Sequence, residues 1–444
     1  MRNTLRTTMV STGLAMIFAS PFVNSVYAAD LLQLYKDAQT YDAIYAASRA
    51  QRQAGSEKEV QGLAGLLPNV GLSANVTRNS VDTTQPTNSS RDYSSRGWNV
   101  QLTQPLFRWQ NWVQYKQGQL QVALAEAQFQ QSRQDLILRV AQAYFDVLVA
   151  QESLSSLEAQ QQASGEQLEL AKKSFEVGTV TVTDVHEAQS RSDLAAAQAI
   201  AARSDLEVKQ QVLSQLVGKE PGVLKKLRRD ADLPAPQPAD IQSWISSAEQ
   251  SSYTVQSAQA SLDIADREVE RNRAGHLPTL DAVATYGRNK TLVPSTGLDS
   301  DATSGTLGVQ LNIPLYQGGA IQSREREAAA LRTKAQADLD NARRSASLAA
   351  RQAYLGVSSG LAQVKALEAA LTSSQSSLDA NKLGYEVGVR INIDVLNAQQ
   401  QLFTTRRDLA KARYDTLMSQ FKLKAAAGTL NESDVEAANG LLSD

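Results

Sequence analysis

The residues with most chemical potential sit in two matched stretches. One runs from Tyr385 to Asn397 and holds Tyr385, Arg390 and Asp394 around Gly388. The other runs from Phe175 to Glu187 and holds Thr183 and Asp184 after Gly178. Gly178 and Gly388 are 210 residues apart, and so are Asp184 and Asp394. Each stretch reads as a Gly-containing turn followed by Asp at a helix start, where a carboxylate can accept from unpaired backbone N–H groups. The framework is shared but the chemistry is not. Phe175 stands where the second copy has Tyr385, and Val180 where it has Arg390. The second turn therefore carries phenol and guanidinium donors that the first lacks.

Catalytic arrangements are not supported. The chain has two histidines. His186-Glu187 has no second His four residues on, so no zinc helix motif exists. His276 precedes Leu-Pro at a helix end and reads as structural. No glycine-rich phosphate loop follows a strand, and no serine sits in a nucleophile elbow. The chain has no cysteine, which removes disulfides, thiolate chemistry and an N-terminal lipidated Cys. A net charge of −2 gives no reason to expect nucleic acid. Neither enzymatic activity, a cofactor nor a bound metal is expected.

The elements that must position the two turns are long. Residues 1–28 read as a secretory signal peptide: Arg2 and Arg6 precede an apolar run from Met9 to Phe22, and Val26-Tyr27-Ala28 offers a cleavage point. That run is shorter than the ~20 apolar residues needed to span a bilayer. Helix is expected from Ala29 to Leu66. Val70, Leu72, Ala74 and Val76 then alternate with polar residues, as do Trp98, Val100 and Leu102, which places strands at about 68–78 and 96–105 around a polar loop over 81–95. No proline lies between Pro105 and Pro221, and Ile137, Val140, Tyr144 and Val147 recur at coiled-coil spacing. One helix from Arg108 to Glu176 would be ~100 Å long at 1.5 Å per residue. A shorter helix runs from Asp184 to near Gly218.

The programme then repeats. Residues 219–239 form an equatorial linker, stiffened by Leu-Pro-Ala-Pro-Gln-Pro at 233–238. A helix over 240–275, strands at about 278–288 and 305–314, and long helical stretches up to Ala427 make a second copy spanning 240–430, after a first copy at 29–218; a tail follows at 431–444. The first helix and the one after the Gly178 turn together match the length of the long helix, so two short helices stacked end to end can line one long one. The strands cluster at one end of this rod and the turns at the other.

Strands of ~10 residues with one apolar face have the length of membrane β-barrel strands. Four cannot close a barrel without unpaired edges in lipid. An oligomer sharing one barrel resolves this; the competing reading is a secreted coiled-coil scaffold or adhesin with a small soluble sheet. Phe107, Trp109 and Tyr316 follow the strand ends, where aromatic rings belong at a membrane interface. Trp112 and Tyr115 read equally as helix packing.

These features, with Gly-His-Leu-Pro-Thr-Leu-Asp (275–281), Pro-Leu-Tyr-Gln-Gly-Gly (314–319), Asp-Val-Leu-Asn-Ala (394–398) and Ala-Gly-Thr-Leu-Asn-Glu (427–432), resemble the TolC family of outer-membrane channel proteins over essentially the whole mature chain. The resemblance implies a mainly α chain with a small β part. It implies a homotrimer whose duplicated coiled coils form a periplasmic α-barrel joined to a 12-stranded outer-membrane β-barrel, with four strands per chain, in a Gram-negative cell. It further implies an export duct for type I secretion or multidrug efflux, fed by a periplasmic adaptor and an inner-membrane ABC, RND or MFS pump. Carried over by position, the closed end is held by gate links from Tyr385 and Arg390 to Thr183 and Asp184. The constriction ring falls on Asp394 and on Asn397, where the family has a second Asp. Gly178 and Gly388 fall at the adaptor-contacting tips. With Asn397, a trimer presents three constriction carboxylates rather than six, so block by multivalent cations should be weaker.

Overall fold

The computed structural model describes residues 29–84, 89–228, 231–293 and 298–443; the expected signal peptide lies outside them. The first copy runs α1 (Leu31–Tyr41), α2 (Ala43–Ala64), β1 (Asn69–Thr83), β2 (Ser89–Phe107), α3 (Trp109–Glu176) and α4 (Val182–Val217). The second runs α5 (Ile241–Ser251), α6 (Tyr253–Arg273), β3 (Thr279–Val293), β4 (Leu298–Asn312), α7 (Ala320–Glu386) and α8 (Asn392–Ala426). A short α9 (Glu432–Asn439) ends the fold.

Each long helix is lined by two shorter ones. On α3, α2 covers the half near the strands and α4 the half near the Gly178 turn; α6 and α8 do the same for α7. The expected seam residues Ile137, Val140, Tyr144 and Val147 are all buried. The largest apolar core lies at the equator, where Leu34 and Tyr35 of α1, Leu148 of α3, Leu213 of α4, Leu417 and Phe421 of α8, and Val435 of α9 pack together. Tyr144 donates its hydroxyl to the Lys225 carbonyl at 2.7 Å and ties the linker to this core.

Two helices expected to be continuous are broken. The first breaks at Asp42 and its counterpart at Ser252, both with extended backbone. The breaks occur where a neighbouring helix stops: Gly218, which ends α4, lies against the Tyr41 ring, and Gly428, beyond α8, lies against the Ser251 carbonyl. Both glycines are left-handed, φ 76° and 73°, and end their helices without Cβ strain. Each break residue caps the helix that follows. Asp42 accepts from the Tyr45 N–H at 2.7 Å, and Ser252 from the Val255 N–H at 3.3 Å. Asp42 also accepts two bonds from the Arg139 guanidinium, at 2.7 and 2.9 Å. Those bonds hold its carboxyl below the ordinary range, against the opposing effect of burial.

The four strands among the described residues form one antiparallel sheet in the order β1-β2-β3-β4, so the two copies join at β2–β3. The strands run farther than their alternation predicts. β1 reaches Thr83 and β2 starts at Ser89, so most of the expected 81–95 loop is ladder; β3 likewise reaches Val293 and β4 starts at Leu298. Beyond the apolar band polar residues predominate on both faces, with only scattered apolar ones such as Val81 and Leu292, so the period-two signal disappears while backbone pairing continues.

The register sorts the two faces. Val70, Leu72 and Val76 share one face with Leu102, Val100, Trp98, Ala284, Tyr286, Leu307 and Val309. The other face carries Ser73, Asn75, Thr77, Asn99, Gln101, Thr285, Asn289 and Gln310. At their lower ends the strands pass into the helices. There Arg108, just before α3, grips Asp281 of β3 with two bonds of 2.8 and 2.5 Å. Among the described residues no helix is long and apolar enough to cross a membrane.

Candidate functional site

The two turns form the free tips of the hairpins α3–α4 and α7–α8. Gly178 and Gly388 adopt φ 77° and 79°, which only glycine enters without strain, and a Cβ on either would meet open space. Both tips are exposed, flanked by Val177 and by Val387 and Val389, each more than 60% exposed. They therefore present apolar side chains and bare backbone outward.

In the first turn the polar chemistry is consumed locally. The Thr181 hydroxyl accepts from the Asp184 N–H, and the Asp184 carboxylate accepts from the Thr181 N–H at 2.9 Å and its hydroxyl at 2.7 Å. This is a reciprocal capping box. Thr183 is exposed one residue earlier. In the second turn Ile391 occupies the capping position and supplies no side-chain bond, so Asp394 keeps its carboxylate free of a capping partner. Arg390 lies 3.7 Å from Asp394, and its aliphatic stem folds over Gly384, where a Cβ would come within 2.6 Å of it. Ser174 occupies the matching place in the first copy, 210 residues earlier. Tyr385 is half-buried against Leu378, Val395 and Leu402.

Within one chain, then, Arg390 reaches Asp394 rather than Asp184. The α8 helix meets the other hairpin one turn further on. Arg191 of α4 donates to Asn397 at 3.2 Å and to Gln400 at 2.6 Å, while also pairing with Glu187 of its own helix at 3.3 Å. Beside it, Gln167 of α3 donates to buried Asn392, and Leu168, Ala171, Ala188 and Leu396 form a small apolar cluster. Among the described residues the Nδ2 of Asn392 and Oε1 of Gln399 are buried without partners, so this seam is a weakly satisfied polar contact near the tips. Arg191 was not singled out from the sequence. It is 206 residues from Asn397, and the only sequence signal is its one-turn spacing from Glu187.

At the other end, Phe107 and Tyr316 are exposed below the apolar band, while the Trp109 indole donates to Glu270 of α6 at 3.2 Å. A second aromatic pair, missed in the sequence, lies at the upper edge: Trp98 and Tyr286, on one face with ring centres 5.9 Å apart. From Phe107 to Trp98 is ~30 Å along the strand at ~3.3 Å per residue. A tilt of ~40° reduces that to ~23 Å, close to the ~25 Å apolar band of outer-membrane barrels. Among the described residues no group of His, Asp and Glu is arranged to hold a metal ion.

Comparison with known proteins converges on one class. Residues 24–219 and 244–429 each match the family model described as outer membrane efflux protein, one match per repeat. Outer membrane protein TolC of Escherichia coli K12 is 32% identical over 434 residues, covering 96% of this chain and 87% of that protein. Alkaline protease secretion protein AprF of Pseudomonas aeruginosa is 34% identical over 422 residues, covering 93% and 88%. Among solved structures, the Campylobacter jejuni CmeC outer membrane channel superposes with a TM-score of 0.78, covering 99% of this chain and 98% of that one, at 15% identity.

Proposed function

Since this chain belongs to the outer membrane efflux protein family, we propose that it works as a passive, gated export duct of the outer membrane. Three copies share one twelve-stranded barrel and one periplasmic helical tube. The observation that carries this reading is the two-faced sheet. An apolar band of membrane height lies on one side and a mainly polar lining, with charge only toward its two ends at Asp281 and Arg91, on the other, with β1 and β4 each lacking a second partner among the described residues. Closing that sheet three times over leaves no edge in lipid. A secreted scaffold or adhesin would have no use for an exposed apolar band of this height.

The gate lies at the tips. Arg390 and Tyr385 present donors that the first copy lacks, and across a subunit boundary they can reach Thr183 and the Asp184 carboxylate of a neighbouring coiled coil. Asp394 supplies three carboxylates to the constriction, and Asn397 leaves the next ring uncharged. The bare tips around Gly178 and Gly388 accept a periplasmic adaptor, which couples the duct to an inner-membrane pump. The pump chooses the cargo. Relatives are named for protease secretion as well as efflux, and this chain serves the same kind of export.

Reconstitution into planar bilayers tests the reading. The purified protein should give small, cation-preferring single channels. Insertion without conductance, even with Tyr385→Phe and Arg390→Ser together, would rule out the duct. A soluble periplasmic monomer on fractionation would do the same.

A further inference from the structure

On the outward face of the sheet, directly above the apolar band, lies a group of cations that conduction does not use. Arg96 pairs in register with Lys290, and Trp98 with Arg288. All four are on the face that carries Leu72, Val100 and Leu307, whereas the pore-side neighbours at this height are Gly97, Ser95 and Asn289. The charge is thus segregated away from the lumen. The Arg288 guanidinium is taken by Asp301, at 2.7 and 2.6 Å. Lys290 stands opposite Asp301 in the register, and after Arg288, the main partner, it and Arg96 both attract that carboxylate at longer range, but among the described residues neither makes a direct side-chain ion pair or hydrogen bond. Arg78 stands one row farther out, 3.5 Å from Asp92, and Asp299 is on that outer row too. The cations nearest the membrane therefore outnumber the carboxylates there, and the carboxylates increase with distance from it.

The shape suits a ligand. Val76, Arg96, Trp98, Arg288, Lys290 and Asp301 line a shallow recess of about 520 Å³. Trp98 bounds it on the membrane side, with Tyr286 beside that ring, and the apolar band continues below. Arg and Lys in excess over carboxylates on a lipid-facing strand are tolerated where the bilayer turns from hydrocarbon to headgroup, and rings of Trp and Tyr mark that level. The helices leave the sheet at the opposite end, so this level is in the outer leaflet. A guanidinium and an ammonium side by side match a phosphate oxyanion.

We propose that Arg96 and Lys290 form a binding site for the phosphorylated headgroup of an outer-leaflet lipid, with its acyl chains lying along Leu72, Val100 and Ala284. The site rests on the membrane-barrel reading above and extends it to a lipid partner. Trimers would carry three such sites around the barrel.

The test uses full-length trimer in detergent, examined by native mass spectrometry and by quenching of tryptophan fluorescence. The probes are a bis-phosphorylated acylated disaccharide lipid, the same lipid without its phosphates, and inorganic phosphate. The wild type should bind the phosphorylated lipid at least tenfold more tightly than the dephosphorylated one. Arg96→Gln with Lys290→Gln should abolish that difference, and Asp301→Asn should leave it intact or enlarge it. Equal binding of the two lipids, or an unchanged preference in the double variant, overturns the site. Displacement of bound lipid by millimolar inorganic phosphate also overturns it, as that marks a free-anion site. Conductance measured on the same preparations separates the two readings. A conducting trimer indifferent to lipid phosphate sinks the lipid site alone, and a protein that never conducts sinks the duct.

Discussion

The Arg191 guanidinium donates to the side-chain oxygen of Asn397 at 3.2 Å, bridging the hairpin of one repeat to that of the other. An aspartate at position 397 would place its carboxylate against that cation. Asn397→Asp should therefore raise channel block by a trivalent cation by less than tenfold. Asn397→Asp combined with Arg191→Gln frees the second carboxylate ring and should raise it at least tenfold. Single-channel block curves decide this. A full rise in the single variant would show that Arg191 does not hold position 397.

The second turn gives a gate prediction. Arg390→Ser with Tyr385→Phe should increase single-channel conductance several-fold. Gly384→Val should move conductance the same way, because its side chain would occupy the space of the Arg390 stem. Asp394→Ala should lower cation preference, read as a shift in reversal potential under a salt gradient. If Gly384→Val behaves as wild type, the position of Arg390 over the last turn of α7 does not matter to gating.

Asp42 supplies a pH prediction. Its carboxyl titrates below its unfolded value of about 3.9 because Arg139 donates two hydrogen bonds to it. The stabilisation is complete above roughly pH 5 and is lost as pH falls through the depressed folded-state value. Asp42→Asn should cost about 2 kcal/mol at pH 7, seen as a lower temperature of trimer dissociation. The gap between variant and wild type should close as pH falls through that depressed value. Since Asn also caps helices, a gap independent of pH would show that the charged pair with Arg139 is not its source.

The close approach of α2 to α3 depends on small residues. A Cβ at Gly118 would lie 2.5 Å from the Lys58 carbonyl oxygen, and one at Gly62 would lie 2.9 Å from the Tyr115 backbone. Gly118→Val should destabilise the fold by about 2–3 kcal/mol through forced separation of the helices. Heat resistance on gels measures it. An unchanged transition would mean that α2 can move away without cost.

Much of this fold is legible in the sequence because periodicity reports burial. The seam at Ile137, Val140, Tyr144 and Val147 and the alternation at Val70–Val76 mark a helix interface and a strand face without further help. The helix breaks at Asp42 and Ser252 leave no such trace, because a cap residue inside a polar-rich helix resembles any other surface residue. Asp184 showed its ambiguity in advance, since an acid near a helix start can serve its own backbone or a partner. Within the chain it serves Thr181. The extended strand ends and the Arg191–Asn397 contact were hidden for a different reason. Ladder pairing without an apolar face, and a polar contact across 206 residues, have no local signature.

The strand order has a consequence for how the protein is made. β1 and β4 are the two ends of the sheet, and among the described residues no strand pairs with the free side of either. A solitary polypeptide entering hydrocarbon would carry both free sides into a solvent that offers their backbone groups nothing. On the proposed duct reading, subunit association comes before or along with insertion, and biogenesis is then set by the encounter of three exported chains. A variant that weakens this encounter would reveal itself as proteolysed precursor in the periplasm, before any defect in transport could be recorded.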